Sequence, residues 1–370
     1  MGELVAVVMA GGRGERFWPM SRRSRPKQLL ALDGEMSLIQ QAVQRILPLV
    51  GPERVLVVTN REYADQVRAQ LDPVPPANIL VEPVGRNTAA CIGLAAVHLS
   101  TRPGPWGDDP IMVVLPADHV VRDAEGFRRV VRAAAEAARR YPLVTIGVWP
   151  SRPETGYGYI ELGARLENCQ GYDVYQVRRF VEKPSQAVAR RFVADACHLW
   201  NSGMFVWRAR AILQAIERHL PELARGLAAI AQSPPAGWEQ AVAQVFETLP
   251  SISVDYGVLE RSDQLVVVPA DFGWDDAGSW PALERLFAPD EEGNVVRAER
   301  FVGLDTRGCV VFDGGEGARG GRPRLIAALG VRDLVVVQTE DVLLVCAKER
   351  AQEIRALLAH LRERGWQEYL

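Results

Sequence analysis

Residues 4–30 read LVAVVMAGGRGERFWPMSRRSRPKQLL, and the fold follows from them. Leu4 to Met9 is a short apolar run, rich enough in β-branched residues to predict a buried strand. A loop with glycines at 11, 12 and 14 follows directly. Such glycines tolerate positive φ and let a ligand lie on main-chain N–H groups. Arg13, Arg16 and Lys27 add cations to the same segment, so a polyphosphate is the natural guest. Two common phosphate loops are excluded. A dinucleotide fingerprint needs a further glycine where Phe17 stands, and no Gly-Lys-Ser/Thr triplet closes a Walker loop. The plainer alternative is a glycine turn whose arginines are merely solvated.

Working outward, the chain alternates strands and helices. Strands are expected at Val55–Thr59, Ile79–Val81, Ile111–Leu115 and Leu143–Val148. Helices are expected from Ser37 to about Leu47, after Asn60 as a cap, from Asn87 to about Leu99, and from Ala124 to Arg140. This alternation predicts right-handed βαβ units and a mostly parallel, Rossmann-like sheet flanked by helices. Ligands then bind beyond the carboxyl ends of strands. The informative segments fall there. Glu82-Pro-Val-Gly-Arg-Asn-Thr-Ala89 opens a helix, where Asn87 serves as a cap or as part of a nucleotide pocket. Asp118, in Leu115-Pro-Ala-Asp-His119, is a turn residue or a hard oxygen ligand for Mg2+ against phosphate. Neighbouring His119 is read as structural. Asp275 and Asp276 are adjacent acids whose repulsion a metal would relieve.

Beyond Ser151 the pattern becomes antiparallel. The glycines of Thr155-Gly-Tyr-Gly-Tyr-Ile160 suit close approach of a sugar ring to main chain. Trp200 and Trp207 are expected in the core. From about Asp290 short apolar runs at 309–312, 325–329, 334–338 and 342–346 predict stacked short strands. A loop at 314–321 is expected to be mobile, and an amphipathic helix over 349–364 carries Ile354, Leu357, Leu358 and Leu361.

Residues 11–30, GGRGERFWPMSRRSRPKQLL, resemble the signature of sugar-1-phosphate nucleotidylyltransferases, and the FWP and PKQ variants resemble the bacterial mannose-1-phosphate guanylyltransferases. EPVGRNTA, LPADH, FVEKP, WNSGMFVW, SVDYGVLE and GWDDAGSW resemble further family segments in family order. The resemblance implies a catalytic domain over 1–288, with a sugar-binding region at about 151–260, and a small β-helix-like C-terminal domain over 289–370. It implies nucleotide contacts from Ala10, Gly11, Gly12, Gly14, Arg16, Glu82, Arg86, Asn87 and Asp118. Sugar-phosphate contacts would come from Gly156, Glu182, Lys183, Asn201, Gly203 and Asp276, and Mg2+ ligation from Asp118 and Asp276. Arg16, Lys27, Asp118, Lys183 and Asp276 would be catalytic. The implied reaction is GTP plus alpha-D-mannose 1-phosphate giving GDP-mannose and diphosphate. Asp275 is expected to be a solvated neighbour, and the roles of Asp255 and Glu260 stay open.

Composition sets the remaining bounds. The chain has 370 residues, 48% hydrophobic and 24% charged, with net charge −3. No basic field exists to recruit nucleic acid or membrane. Five scattered cysteines without a CxxC pair, and no signal peptide or apolar span, argue for a cytoplasmic protein with reduced thiols. Only Lys27, Lys183 and Lys348 are lysines among 43 basic residues, which suggests lysine is kept where a compact ammonium matters. A homodimer is expected. Two alternatives stay open: the same chemistry on another nucleotide and sugar 1-phosphate, since no residue by itself forces guanine, and a non-catalytic sugar-nucleotide sensor. A sensor would be expected to lose acids or cations that this chain retains. A bifunctional isomerase is disfavoured by chain length and by a tail without a His/Glu cluster.

Overall fold

The computed structural model describes residues 3–32, 34–314 and 324–370. They form two compact units: residues up to Gly11 with Ile39–Trp274, and Gly12–Leu38 with Asp275–Leu370. The loop expected to be mobile lies, except for Gly314, outside the described residues. No described helix is long and apolar enough to cross a membrane.

The first unit contains strands β1 (Leu4–Ala10), β2 (Val55–Asn60), β3 (Ile79–Glu82), β4 (Ile111–Pro116), β5 (Val120–Val121), β6 (Leu143–Val148), β7 (Gly158–Cys169), β8 (Tyr172–Glu182), β9 (His198–Arg208) and β10 (Leu265–Ala270). Its helices are α1 (Leu38–Val50), α2 (Ala64–Gln70), α3 (Asn87–Thr101), α4 (Ala124–Ala137), α5 (Gln186–Ala194), α6 (Ala209–His219), α7 (Pro221–Ala231), α8 (Trp238–Phe246) and α9 (Val254–Gly257). Nine strands make one sheet in the order β3-β2-β1-β4-β9-β6-β10-β8-β7. β1, β2, β3 and β4 run parallel, as do β6 and β10; β9 pairs antiparallel with both β4 and β6.

Continuous apolar runs produce strands buried on both faces, as a helix-covered parallel sheet requires. Val5, Val7, Leu56 and Val58 share a core cluster with Ala89–Ile92, Leu94–Val97, Leu99, Ile212, Ile216, Leu223 and Leu227. Helix α3 is buried almost all round, and small residues make that possible. A Cβ on Gly93 would lie 2.4 Å from Leu227. Pro234 and Pro235 fall between α7 and α8. Trp200 and Trp207 are core residues, 3% and 0% exposed.

In the second unit the residues after the glycine loop pack with the C-terminal segment. Trp280 is fully buried, its ring 4.9 Å from Phe17 and 5.3 Å from Phe312, and its indole donates to the Trp18 carbonyl. The chain enters this unit within β11 (Trp274–Asp275), continues through α10 (Leu283–Leu286), and builds β12 (Val295–Arg297), β13 (Arg300–Leu304), β14 (Val310–Asp313), β15 (Leu325–Leu329), β16 (Leu334–Gln338) and β17 (Leu343–Ala347). Parallel pairing of β12, β14 and β16, and of β13 with β15, gives the stacked short strands expected there; β17 closes the sheet antiparallel. The last helix, α11 (Ile354–Glu363), is preceded by a 3-10 stretch, Lys348–Glu353. Its Ile354 and Leu358 are buried, whereas Leu357 is 41% exposed.

The tightest close approach in the sheet is at Gly147 in β6. A Cβ there would sit 2.6 Å from Leu199 Cδ1 and 2.9 Å from Val267 Cγ2. Gly147→Ala is expected to destabilise the protein by about 1–3 kcal/mol, measured as a lower midpoint of denaturant unfolding with unchanged slope.

Candidate active site

The strand register assembles the site. Thr59 is opposite Ala10, Glu82 opposite Asn60, and Pro116 opposite Met9. The carboxyl ends of four parallel strands therefore share one edge, at which strand order also reverses around β1. β9 enters from the other direction: Asn201 is opposite Gly147, and Trp200 opposite Tyr159 of β7. Gly158 is opposite Glu182. The register thus brings the end of the glycine segment, EPVGRNTA, LPADH, FVEKP and WNSG to one side of the sheet.

At the nucleotide end, Gly11 follows β1, and a Cβ there would lie 3.3 Å from Glu82 Oε2 and 3.5 Å from Asn60 Oδ1. The Asn60 amide donates to the Gly11 carbonyl at 2.8 Å. The expected capping role of Asn60 is not realised: its side chain turns to this loop through the amide nitrogen and makes no cap bond. Glu82 is 3% exposed, and burial pushes its carboxyl up to about 8. Asn87 adopts left-handed backbone, φ 66°, and its Oδ1 accepts from the Thr88 N–H. Arg86 donates to the carbonyls of Phe246 and Glu247 at the end of α8. Its guanidinium thus ties the start of α3 to that helix.

Asp118 lies in the turn after β4 and is half-buried. His119 is structural, as expected: its Nδ1 accepts from the Trp274 indole at 3.1 Å, and its carbonyl accepts from Arg45. Gly203, with φ 69°, would place a Cβ 3.4 Å from Pro116 and 3.7 Å from His119. The Asp118 turn therefore lies against the Asn201–Gly203 segment. Trp274 packs on His119, Tyr157 and Trp200, with ring centroids 5.4, 5.2 and 6.3 Å apart.

The sugar-side residues form a charged cluster. Lys183, in left-handed backbone at φ 48°, contacts Glu182 Oε1 at 2.8 Å. Glu182 Oε2 is buried without a hydrogen-bond partner among the described residues, and a Cβ on Gly158 would lie 2.4 Å from it. Gly158 therefore makes room for this carboxylate, a role not read from the sequence. Gly156, by contrast, is exposed, and its N–H donates to Glu154. Asp255 accepts from Asn201 Nδ2 at 2.8 Å, while Asn201 Oδ1 accepts from the Gly203 N–H. The role of Asp255, left open by the sequence, is this bond to Asn201; the α9 cap is Ser253. Glu260 accepts the Glu182 N–H. Burial, then the charge of Glu182, pushes the Asp255 carboxyl up to about 6 despite Asn201 and Lys183. Burial draws the Lys183 ammonium down, but Glu182, Tyr256 and Asp255 outweigh it and hold it above its ordinary value.

The remaining predicted residues belong to the second unit. Gly12 is exposed and a Cβ there would meet open space. Gly14 has φ 63°, and a Cβ there would collide with Lys27 Cβ at 2.2 Å, so glycine is required twice over. Lys27 is 3% exposed, and its ammonium donates to the Asp276 carbonyl at 2.7 Å. Arg16 donates to the Gly278 carbonyl. The Asp276 carboxylate accepts the Gly278 N–H at 3.0 Å. Asp275 corrects the expectation of a solvated neighbour: it is 8% exposed and grips Arg285 through two bonds of 2.5 and 2.9 Å. That cation neutralises the repulsion between the adjacent acids. Lys348 has a supporting role, bonded to Glu284 and the Gly308 carbonyl.

Comparison with known proteins places this arrangement. Residues 5–293 match the family described as Nucleotidyl transferase, and residues 299–361 match the MannoseP isomerase/GMP-like beta-helix domain. The chain is 39% identical to a mannose-1-phosphate guanylyltransferase of Escherichia coli K12, over 99% of this chain and 75% of that protein. It is 37% identical to the alginate biosynthesis protein AlgA of Pseudomonas aeruginosa, over 98% and 73%. A solved structure from Thermus thermophilus, described as a mannose-1-phosphate geranyltransferase, aligns with TM-score 0.85 and 38% identity, covering 97% of this chain and 99% of that one. The chain belongs to the nucleotidyl transferase family, and a GMP-like β-helix domain follows its nucleotidyl transferase region in sequence.

Proposed function

We propose that this protein transfers a guanylyl group from GTP to alpha-D-mannose 1-phosphate, forming GDP-mannose and releasing diphosphate. The observation that carries this reading is the pairing of two chemically distinct ends on one sheet edge. Glycine-flanked strand ends bearing Glu82 meet a nucleotide, and the Glu182–Lys183–Asn201–Asp255 cluster meets a sugar phosphate. The identity to guanylyltransferases over nearly the whole chain supports the choice of substrates.

The phosphate oxygen of the sugar attacks the α-phosphorus in line with departing diphosphate. Because the nucleophile is already ionised, no general base is needed; the protein's work is positioning and charge neutralisation. Lys183 offsets the charge of the incoming sugar phosphate. Glu182 and the Asn201 amide held by Asp255 orient the sugar hydroxyls. Arg16 and Lys27 hold the triphosphate and stabilise the leaving diphosphate, with the glycine-loop N–H groups beside them. Gly12 leaves the backbone bare for that contact, Gly14 lets Lys27 pack against the loop, and Arg86 and Asn87 shape the nucleotide end. Among the described residues, no three His, Cys, Asp or Glu side chains gather to hold a metal by themselves. Isolated carboxylates suit Mg2+, which takes one or two of them and completes its shell with phosphate and water. Asp118 and Asp276 would hold it, where it would neutralise phosphate charge. The five cysteines are free thiols, which supports a cytoplasmic location.

The reading is tested by Mg2+-dependent diphosphate release over a grid of nucleoside triphosphates and sugar 1-phosphates, with GTP and mannose 1-phosphate expected to dominate. A different dominant pair would replace the substrates; silence with GTP still bound would leave a sensor. Asp118→Asn and Asp276→Asn should each lower turnover about 10²–10³-fold with far less effect on GTP binding. Lys183→Ala should raise the KM for mannose 1-phosphate about 10–100-fold. Use of that substrate should fall as pH drops through about 6, because Asp255 gains a proton there and loses the charge that holds Asn201. In Asp255→Asn this limb of the kcat/KM profile should vanish. We further assign a homodimer, supported by the outward apolar residues Leu304, Leu325, Leu329 and Leu343, each at least 60% exposed. Light scattering should give twice 40.8 kDa, and Leu329→Arg should lower it.

A further inference from the structure

A carboxylate stands inside the segment that carries the triphosphate cations: Glu15 lies between Gly14 and Arg16. Left to itself, its charge would oppose a bound polyphosphate, because like charges repel more strongly where water is partly excluded. The second unit restrains that charge. Glu15 Oε1 accepts from Arg362 of α11 at 2.9 Å, and Arg355 of the same helix lies 3.7 Å from Oε2. Positions 355 and 362 are two helical turns apart, so both arginines stand on one face of α11. Glu15 is 27% exposed and Arg362 37%, whereas Arg355 is 61% exposed and the weaker partner.

Three further contacts tie the same segment to the C-terminal part of the chain. The Trp18 indole donates to the Tyr369 carbonyl at 2.7 Å, and the Arg23 N–H donates to the Leu370 carbonyl. The Arg22 guanidinium grips Asp341 through bonds of 2.7 and 2.6 Å. Glu15, Trp18 and Arg22 thus turn to residues 341–369, while Arg16 and Lys27 turn to the carbonyls of Gly278 and Asp276. The two sets are coupled through Gly14. Its carbonyl accepts from the Phe17 N–H and the Ser21 hydroxyl, and Lys27 fills the space its Cβ would need. A shift of Glu15 therefore moves Gly14 against Lys27.

Resting on the nucleotide-binding reading above, we propose that Glu15 is a positioning residue, and that α11, acting through Arg362, holds the glycine segment in the shape that receives a nucleoside triphosphate. A pair this exposed adds little to global stability, so its consequence is local. Without Arg362, the Glu15 carboxylate is released beside Arg16 and competes with phosphate for that cation. The loss then falls on triphosphate binding and spares both folding and the sugar-side cluster.

The test is a cycle of Arg362→Ala, Glu15→Ala and the double variant. It is read by equilibrium binding of GTP, by KM for GTP and for mannose 1-phosphate, and by the midpoint of denaturant unfolding. Arg362→Ala should bind GTP about 5–30-fold more weakly, with the midpoint and the KM for mannose 1-phosphate nearly unchanged. The double variant should recover part of that loss, because the uncompensated carboxylate is gone. Amide hydrogen exchange over residues 15–22 should quicken in Arg362→Ala. Unchanged exchange or GTP affinity in that variant, equal weakening of both substrates, or losses that simply add in the double variant would overturn the proposal. Wild-type protein that binds no GTP sinks the transferase reading and this proposal together; wild-type binding with an unaffected Arg362→Ala sinks the proposal alone.

Discussion

The in-register parallel pairing of β1 with β2 and β4 is the constraint on which the candidate site depends. Side chains alternate faces along a strand, so a slip of one residue would turn every apolar contact of β1 to the wrong side. The register is therefore held by burial on both faces of the sheet, by Val5 and Val7 against α3 among others. The same register places Gly11, Asn60, Glu82 and the Asp118 turn together. Packing energy spent on the core is what aligns groups that contribute little to the core themselves.

Several site residues are held in states that the core would not choose. Lys183 and Asn87 adopt left-handed backbone without being glycine, which costs free energy that surrounding structure must offset. Glu82, Glu182 and Asp255 are carboxyl groups withdrawn from water, and burial raises the carboxyls of Glu82 and Asp255. Such groups are expensive as structural elements, and all five lie on one edge of the sheet. This concentration of strain and desolvation distinguishes the edge from the rest of the surface.

The three lysines show how one residue type serves different ends. Lys27 is buried on a main-chain carbonyl, Lys183 is half-exposed beside a carboxylate in the sugar-side cluster, and Lys348 ties a tail turn to Glu284. Only the two within family-like segments belong to the candidate site. Scarcity of lysine pointed to positions of consequence without separating chemistry from support.

Strand and helix order was legible in the sequence because apolar periodicity is local: most predicted strands agree with the structure to within two residues. The glycine loop, EPVGRNTA, LPADH and GWDDAGSW were legible because each begins at or just after the end of a strand, where an α/β sheet exposes its ligand edge; WNSGMFVW instead lies within β9 and SVDYGVLE forms α9. Long-range pairing was not. Asn60 turns to Gly11 instead of capping a helix, and Arg285 neutralises Asp275. Gly158 leaves room for Glu182, and Asp255 orients Asn201. Apart from the Asp275–Arg285 pair, which is ten residues apart, each of these depends on a partner distant along the chain. Chain sequence alone therefore determined the class of fold and the chemical types at its edge. The tertiary structure decided which of those side chains face one another, because a hydrogen bond or an excluded Cβ depends on position in space, and strand register together with packing sets that position.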